Sequence, residues 1–167
     1  MKLILLRHAK SSWQGESLDD FERPLNGRGL RDAPVMAERL KAAEHIPTRV
    51  LCSPALRTRQ TLDLMLPAFR LKQEDCVFVN EIYEASPGEL LDAIVQHGLN
   101  TEHLMVLGHN PGLEYLVAML NGGARIRMAT CAFGVFDMLN ISEWRTISNA
   151  SSRLLLFDYP KNATASS

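Results

Sequence analysis

The sequence lacks any apolar run long enough to cross a membrane. A membrane-spanning helix needs about 18 or more consecutive apolar residues, and no run in the 167 residues approaches that length. The first apolar run, residues 3–6, is too short for the apolar region of a signal peptide, and basic residues close it. We therefore expect a cytoplasmic protein that does not associate with membranes.

An excess of charge of one sign is also missing. The chain has 18 Lys and Arg against 19 Asp and Glu, which gives a formal net charge of −1. Nucleic-acid and membrane surfaces are usually bound through a large excess of positive charge, so this balance argues against both kinds of partner. Any positive site must be local. Because no coiled-coil pattern is present, we expect a monomer.

Cysteine is scarce. Cys52, Cys76 and Cys131 are odd in number, far apart and surrounded by apolar residues. This pattern indicates neither a disulfide framework nor a CxxC metal-binding pair. We interpret all three as thiols of the hydrophobic core.

The phosphate-binding loop GxxxxGK[ST] is absent as well. The nearest segment, "NGRG" at residues 26–29, has too few glycines and no lysine to replace it. Nucleotide hydrolysis by that route is therefore excluded.

What the sequence does contain is an alternation of strand and helix patterns. Its length and its 46% hydrophobic content fit one domain, residues 1–160, followed by a flexible tail at 161–167. Short apolar runs at 2–6, 49–53 and 103–109 are typical of strands buried on both faces, as in a parallel sheet. Two later runs, "CAFGVFDML" and "SRLLLFDY", have no long helix between them. We expect an α/β fold with a mostly parallel central sheet and an antiparallel edge strand.

Four segments carry helical patterns. The first, "LRDAPVMAERLKAAEH", contains Pro34, which should kink the helix or mark its real start. Ser53 is the predicted N-cap of the second helix, and Ser86 with Glu89 forms a predicted capping box for the third. The fourth helix is expected to open at Asn110. Helices between successive strands are typical of a parallel sheet.

Basic residues follow three of the predicted strands. Arg7 and His8 end the first strand, Arg57 lies one turn into the helix after the second, and His109 follows the third. The carboxyl ends of parallel strands share one side of the sheet, where ligands bind, and no carboxylate cluster accompanies these residues. The four side chains are therefore predicted to bind an anion. Phosphate is the natural candidate, because arginine matches its oxygens with two parallel hydrogen bonds.

A metal ion or another cofactor is not expected at this site. His8 and His109 lack a third clustered ligand, and the adjacent arginines would repel a divalent cation. The remaining chemistry is displacement at phosphorus by an imidazole. We expect His8 to attack through one ring nitrogen while a backbone carbonyl fixes the other N–H. Arg7, Arg57 and a protonated His109 would hold the phosphoryl oxygens.

The same residues lie in three motifs, "LLRHAKSSW", "SPALRTRQT" and "VLGHNP". In this order and spacing they resemble the RH(G/A), SxxxRxxxT and GH motifs of the histidine phosphatase superfamily. With the intervening "DFERPLNGRGLRDAP", nearly the whole chain is similar to the short SixA-type phosphohistidine phosphatases. The resemblance implies a phosphoglycerate-mutase-like three-layer sandwich with helices on both faces of the sheet. It also implies that His8 is the phosphorylated nucleophile and that Arg7, Arg57 and His109 form the phosphate pocket.

The proton donor is left open. Relatives that act on phosphate esters place a glutamate after the third strand, and Glu81 stands at the corresponding point. An alkoxide is a poor leaving group and needs such an acid, whereas imidazole leaves far more easily from a P–N bond. Glu81 is therefore a possible general acid, with a solvated loop residue as the equal alternative. Ser11, Gln14 and Asn110 are weaker candidates for contact with phosphate or substrate.

Three functions remain in play. The favoured one is a metal-independent phosphatase acting on phosphohistidine of a partner protein, such as a phosphotransfer domain or a phosphocarrier. The short stretch between Arg57 and His109 leaves little chain for a lid, and an open pocket suits a protein substrate. The second is a small-molecule phosphomonoesterase with Glu81 as acid. The third is a phosphate-binding regulatory module without turnover. Arg23, Arg28 and Arg31 could line the pocket rim, but solvated charges are the favoured interpretation.

Overall fold

A mixed sheet forms the centre of the computed structural model, which describes residues 1–13 and 19–162 except for the side chain of Asn149. The strands within these residues are β1 (Lys2–Arg7), β2 (Arg49–Cys52), β3 (Cys76–Phe78), β4 (His103–Gly108), β5 (Phe133–Leu139) and β6 (Ser151–Asp158). Their order is β3-β2-β4-β1-β5-β6. Strands β1 to β4 pair in parallel, whereas β5 pairs antiparallel with both β1 and β6. The predicted parallel sheet with antiparallel pairing at one edge is confirmed.

Helices cover both faces of this sheet. They are α1 (Gly27–Ala42), α2 (Leu56–Phe69), α3 (Pro87–His97) and α4 (Gly112–Leu120) among the described residues. Side chains of β1 alternate between two cores: Ile4 and Leu6 pack with α1 and α2, and Leu3 and Leu5 pack with α3 and α4. A strand sends successive side chains to opposite faces, so an uninterrupted apolar run buries both. The three-layer α/β architecture expected from the sequence is confirmed.

Two predicted helix starts are wrong. Helix α1 begins at Gly27, where the side chain of Asn26 accepts a hydrogen bond from the Gly29 N–H at 3.0 Å, so Pro34 lies inside the helix. Helix α2 begins at Leu56 with Ala55 at its N-cap position, and Ser53 is therefore not the cap. A cap depends on where one side chain reaches, which the residue type alone does not fix.

The third predicted helix start is confirmed. The Ser86 side chain accepts from the Glu89 N–H, and the Glu89 carboxylate accepts from the Ser86 N–H at 2.8 Å. The fourth helix begins slightly later than predicted, because Pro111 is at its N-cap position and Gly112 is its first residue. Asn110 lies just before this helix and forms other contacts.

The cysteines are all free, and two of the three are fully in the core. Cys52 and Cys131 are buried, whereas Cys76 is only partly buried at the start of β3. The prediction of core thiols therefore holds for the first two and only in part for Cys76. No helix in the described ranges combines the length and the apolar character needed to cross a membrane.

The register of the central strands positions the candidate site. Arg7 of β1 pairs with Gly108 of β4, and Cys52 of β2 pairs with Leu107 of β4. The residues that follow these three strands are therefore neighbours at one edge of the sheet. Strand β4 is the middle strand of the three, so His109 lies between the ends of β1 and β2.

Candidate active site

The structure brings His8 and His109 together at the carboxyl ends of β1 and β4. The backbone N–H of His8 donates to the Gly108 carbonyl at 3.1 Å, and the two imidazole ring centroids are 5.2 Å apart. Both side chains are buried, with relative exposures of 6% and 7%. The charges of Arg7 and Arg57 act on both rings. All four predicted residues thus share one site.

His8 is held in a defined tautomer. Its Nδ1 lies 2.7 Å from the Ala9 carbonyl oxygen, which can only accept, so Nδ1 carries the hydrogen. Burial, and after it the charges of Arg57 and Arg7, lower the pKa of His8 well below 6.5, although the hydrogen bond to Ala9 opposes this. The ring is neutral at pH 7, and Nε2 carries a lone pair. This is the protonation state that an imidazole nucleophile requires.

The surroundings of His109 favour a neutral ring in the protein without phosphate, whereas a protonated ring was expected to hold the phosphoryl oxygens. Burial and the positive charge of Arg57 lower the pKa of His109 to about 3. Its Nε2 lies 2.7 Å from the Ser53 hydroxyl oxygen. Its Nδ1 is buried and finds no hydrogen-bond partner in the described part of the chain. Ser53, predicted as a helix cap, instead orients this ring.

Arg7 is anchored by the segment around Met128. Its Nη1 donates to the Met128 carbonyl at 2.8 Å, while its Nε is buried without a hydrogen-bond partner among residues 1–13 and 19–162. The Glu114 carboxylate accepts from the Met128 N–H at 2.9 Å and from the Asn110 amide at 2.8 Å. Asn110 also donates to the Met128 carbonyl at 3.0 Å. Both Asn110 amide hydrogens are thus used within the fold, and we do not assign Asn110 to phosphate binding.

Arg57 is paired with a carboxylate, although the sequence predicted no carboxylate cluster here. Its Nη1 donates to the Asp20 carbonyl at 2.6 Å, and its Nη2 donates to Asp20 Oδ2 at 3.0 Å. The Tyr83 hydroxyl also donates to Asp20 Oδ2, at 2.7 Å. Hydrogen bonds from Tyr83 and the charge of Arg57 outweigh partial burial and lower the pKa of Asp20. Asp20 is therefore an ionised partner of Arg57.

Several buried nitrogens of the site remain without a partner in the described residues. They are Nε of Arg7, Nε of Arg57, Nε and Nη1 of Arg23, and Nδ1 of His109. Buried polar atoms are nearly always hydrogen-bonded in folded proteins, so a cluster of exceptions needs an explanation. Most of these atoms belong to arginines, which can only donate. The arrangement is suited to an anion with several acceptor oxygens.

The weaker candidates from the sequence stay predictions. Ser11 is buried and forms an isolated backbone bridge with Leu25. Gln14 and residues 163–167 of the predicted tail lie outside the described residues. Glu81 is exposed in a short 3-10 turn and lines a cavity of about 120 Å³ beside α3, together with Asp92 and Gln96. Its role as a proton donor stays a prediction.

Three residues of this region were missed or undervalued in the sequence. Asp20 and Tyr83 contact the site residues directly, and the Tyr83 ring lies edge-on to His109 with centroids 5.5 Å apart. Partial burial and the hydrogen bond to Asp20 raise the pKa of Tyr83 to about 12. Arg23, interpreted as solvated, is largely buried. The "DFERPL" segment contains two of them, but no periodicity indicated where it would fold.

Within the described ranges, no three or more His, Cys, Asp or Glu side chains are grouped so that they would hold a metal ion. The positive charges around His8 would also repel a cation.

Comparison with known proteins identifies relatives along most of the chain. The sequence profile of the histidine phosphatase superfamily (branch 1) matches residues 3–102. An uncharacterized chloroplast protein of Arabidopsis thaliana is 37% identical over 138 residues, which are 78% of this chain and 63% of that protein. This match therefore spans less than two thirds of the chloroplast protein. The phosphohistidine phosphatase SixA of Escherichia coli K12 is 31% identical over 132 residues, covering 78% of this chain and 80% of its own.

A solved structure from Agrobacterium tumefaciens, described as the phosphohistidine phosphatase SixA, has the same fold. It superposes with a TM-score of 0.80 at 27% sequence identity and covers 95% of this chain and 97% of its own. The arrangement of strands and helices around the site is thus shared with that protein over nearly its full length.

Proposed function

The chain belongs to the histidine phosphatase superfamily, and we propose that this phosphatase hydrolyses phosphohistidine on a partner protein without a metal ion. The observation that carries the proposal is the state of His8. Its lowered pKa makes the ring neutral, its Nδ1–H is fixed by the Ala9 carbonyl, and the charges of Arg57 and Arg7 act on the ring. The relatives described as SixA phosphohistidine phosphatases support the substrate class.

The first step transfers the phosphoryl group to the enzyme. Nε2 of His8 attacks phosphorus, the new N–P bond forms, and the P–N bond to the substrate histidine breaks with its electron pair leaving on the substrate nitrogen. The His8 ring becomes a cationic phosphoimidazole. Its Nδ1–H keeps donating to the Ala9 carbonyl, and this hydrogen bond strengthens as the ring becomes positive.

The second step releases phosphate. A water oxygen bonds to phosphorus, the bond to Nε2 of His8 breaks, and the ring recovers its lone pair. The proton lost by water passes to the phosphate product or to solvent. In both steps the unused hydrogens of Arg7 and Arg57 would hold the equatorial phosphoryl oxygens. His109 would contact a third oxygen through Nδ1.

The leaving group distinguishes the two enzymatic candidates. Imidazole departs from phosphorus without a strong acid beside it, whereas an alkoxide needs one. Glu81 is exposed and lines a cavity along α3, and no hydrogen bond within the described residues joins it to His8, Arg57 or His109. This placement supports phosphohistidine as substrate over a phosphate ester that depends on Glu81.

The decisive experiment offers two substrates in excess chelator. One is a histidine-phosphorylated phosphotransfer domain and the other is a panel of small phosphate esters. We expect the wild type to dephosphorylate the protein and His8→Ala to be inactive, while His97→Gln, a histidine substitution at the end of α3, keeps full activity. A phosphoenzyme that is labile to acid and stable to base should be trapped on His8. Activity of His8→Ala, or loss of wild-type activity in chelator, would show the mechanism to be wrong.

A second comparison tests the phosphomonoesterase alternative. Glu81→Gln removes the acid and changes little else, because the side chain is exposed. If phosphohistidine is the substrate, we expect kcat on the phosphoprotein to stay within about twofold of wild type. A loss of about a hundredfold or more on esters the wild type hydrolyses efficiently would instead assign the ester reaction and Glu81 as its acid.

A further inference from the structure

Taking the pocket around His8 as the phosphoryl site of the proposed function, we infer that Arg23 is a further residue that binds a phosphoryl oxygen. It directly follows the 3-10 turn Asp20–Glu22, and its guanidinium stacks on the Trp13 ring. Three observations carry this assignment: its burial, its unused hydrogen-bond donors and its coupling to Arg57 through Asp20.

The Arg23 side chain is largely buried, and the Trp13 ring stacks on its guanidinium group. Its side chain is only 12% exposed, and its Cζ atom lies 3.7 Å from the centroid of the Trp13 ring. Trp13 itself is 77% exposed and so covers the guanidinium from the solvent side. A solvated surface arginine does not have this arrangement. Arg59, for comparison, is exposed on α2.

The hydrogen-bond donors of Arg23 are only partly used. Nη2 contacts Asp20 Oδ1 at 3.2 Å, whereas Nε and Nη1 are buried and find no acceptor among the described residues. An arginine offers five N–H groups in a fixed plane and accepts none. Two buried nitrogens without hydrogen bonds are unfavourable, unless an anion accepts hydrogen bonds from them. A phosphoryl group supplies oxygens in the geometry that a guanidinium matches.

Asp20 connects Arg23 to the catalytic arginine. Its Oδ1 contacts Arg23, and its Oδ2 accepts from Arg57 at 3.0 Å, so one carboxylate bridges two guanidinium groups. Phe21 packs edge-on against Tyr83 with ring centroids 5.1 Å apart, which holds the turn against the site. Asp20 carries one negative charge and the two arginines carry two positive charges. The three groups together therefore retain a net charge of about +1, which attracts an anion.

The electrostatic coupling agrees with this geometry. Burial and the charge of Arg57 lower the pKa of Arg23, and Asp20 offsets this only in part. The charge of Arg23 in turn contributes to lowering the pKa of His109. Arg23 is therefore close enough to sense both residues of the pocket. Asp20 acts as a positioning residue that holds the outer edges of both guanidinium groups.

Tungstate binding tests this inference directly, because the ion is a tetrahedral oxyanion that needs no turnover. Binding is measured by calorimetry for wild type, Arg23→Gln and Arg59→Gln. Loss of one charge-assisted hydrogen bond should weaken tungstate binding by about tenfold to a hundredfold in Arg23→Gln. Arg59→Gln removes the same charge from an exposed position and should bind as wild type. Equal affinities of wild type and Arg23→Gln would overturn the inference.

A second readout uses the fluorescence of the wild-type protein and does not require Arg23→Gln to fold. Trp13 stacks on Arg23, so tungstate on Arg23 should change its fluorescence, and Trp13→Phe should abolish that change. The other tryptophan, Trp144, is buried in the core and serves as the internal reference. Saturating tungstate without any change in Trp13 emission would contradict the assignment.

The steady-state kinetics separate this inference from the proposed function. On the phosphoprotein, Arg23→Gln should raise KM more than it lowers kcat, since a ground-state contact to the phosphoryl group is lost. If the wild type fails to hydrolyse phosphohistidine but binds tungstate through Arg23, the proposed function is wrong and the oxyanion site stands. If the wild type hydrolyses phosphohistidine and Arg23→Gln binds tungstate normally, only the role of Arg23 is wrong.

Discussion

The burial of a neutral His109 should make the stability of this protein depend on pH. The pKa of His109 is about 3 in the folded chain, against 6.5 for a free histidine, because burial and the charge of Arg57 oppose its protonation. The unfolded chain therefore binds more protons than the folded chain below pH 6.5. His109 contributes stability that is fully present above pH 6.5 and is lost as the pH falls toward its folded pKa.

The size of the effect follows from the two pKa values. At pH 5 the unfolded histidine is almost fully charged and the folded one is still neutral, which lowers the free energy of unfolding by about 2 kcal/mol relative to pH 7.5. His8 acts in the same direction, because its pKa is also well below the usual value. Replacing His109 by Gln removes its share and leaves that of His8.

The assay is urea unfolding of wild type and His109→Gln at pH 5 and pH 7.5. We expect the wild type to lose about 2 kcal/mol more than the variant between the two pH values. An NMR titration of the His109 ring provides an independent check and should show no titration above pH 5. The same pH dependence in wild type and variant, or a His109 signal that titrates near pH 6.5, would refute the neutral buried ring.

Three further results are expected. Ser53→Ala removes the hydroxyl that contacts His109 Nε2, so kcat on phosphohistidine should fall about tenfold while the free energy of unfolding falls by about 1 kcal/mol, both measured against wild type. In Gly112→Ala the new Cβ would overlap the Ala85 carbonyl oxygen, so the free energy of unfolding measured in urea should fall by about 2 kcal/mol or more. In the control Gly88→Ala the new Cβ meets only one atom, at 4.0 Å, so the free energy of unfolding should change by less than about 1 kcal/mol. Tungstate at about 100 times its Kd should raise the free energy of unfolding by about 2.7 kcal/mol, and sodium chloride at equal ionic strength should not.

The parallel strands β1, β2 and β4 could be predicted from the sequence because they are short, largely apolar and separated by helical patterns. Helix starts were less predictable. Pro34 was expected either to kink α1 or to begin it, and it does not begin the helix, because it lies inside α1 on an exposed position. A proline there removes the N–H that would bond to the Leu30 carbonyl, and on an exposed face water can replace that bond. The true start depends on the Asn26 side chain, which reaches the Gly29 N–H.

The site residues that stand at strand ends could be predicted from the sequence, whereas those in the turns between the helices and strands could not. Arg7, His8 and His109 stand directly at strand ends, so sheet topology alone brings them together. Asp20 and Tyr83 belong to segments outside the regular elements, and their contact spans 63 positions along the chain. No periodic pattern indicates such a contact, because irregular segments are positioned by individual side-chain contacts.

The arginines of the pocket have opposite effects before and after the substrate binds. In the free protein their charges lower the pKa of His8, which keeps its lone pair available but disfavours any positive charge on the ring. In the proposed reaction, attack on phosphorus would place a positive charge on that same ring. The phosphoryl group would bring negative charge to Arg7 and Arg57 at the moment of attack, and this would offset their repulsion of the developing imidazolium. The proposed mechanism therefore requires that the His8 imidazole is neutral without a phosphoryl group and becomes cationic only when one is bound.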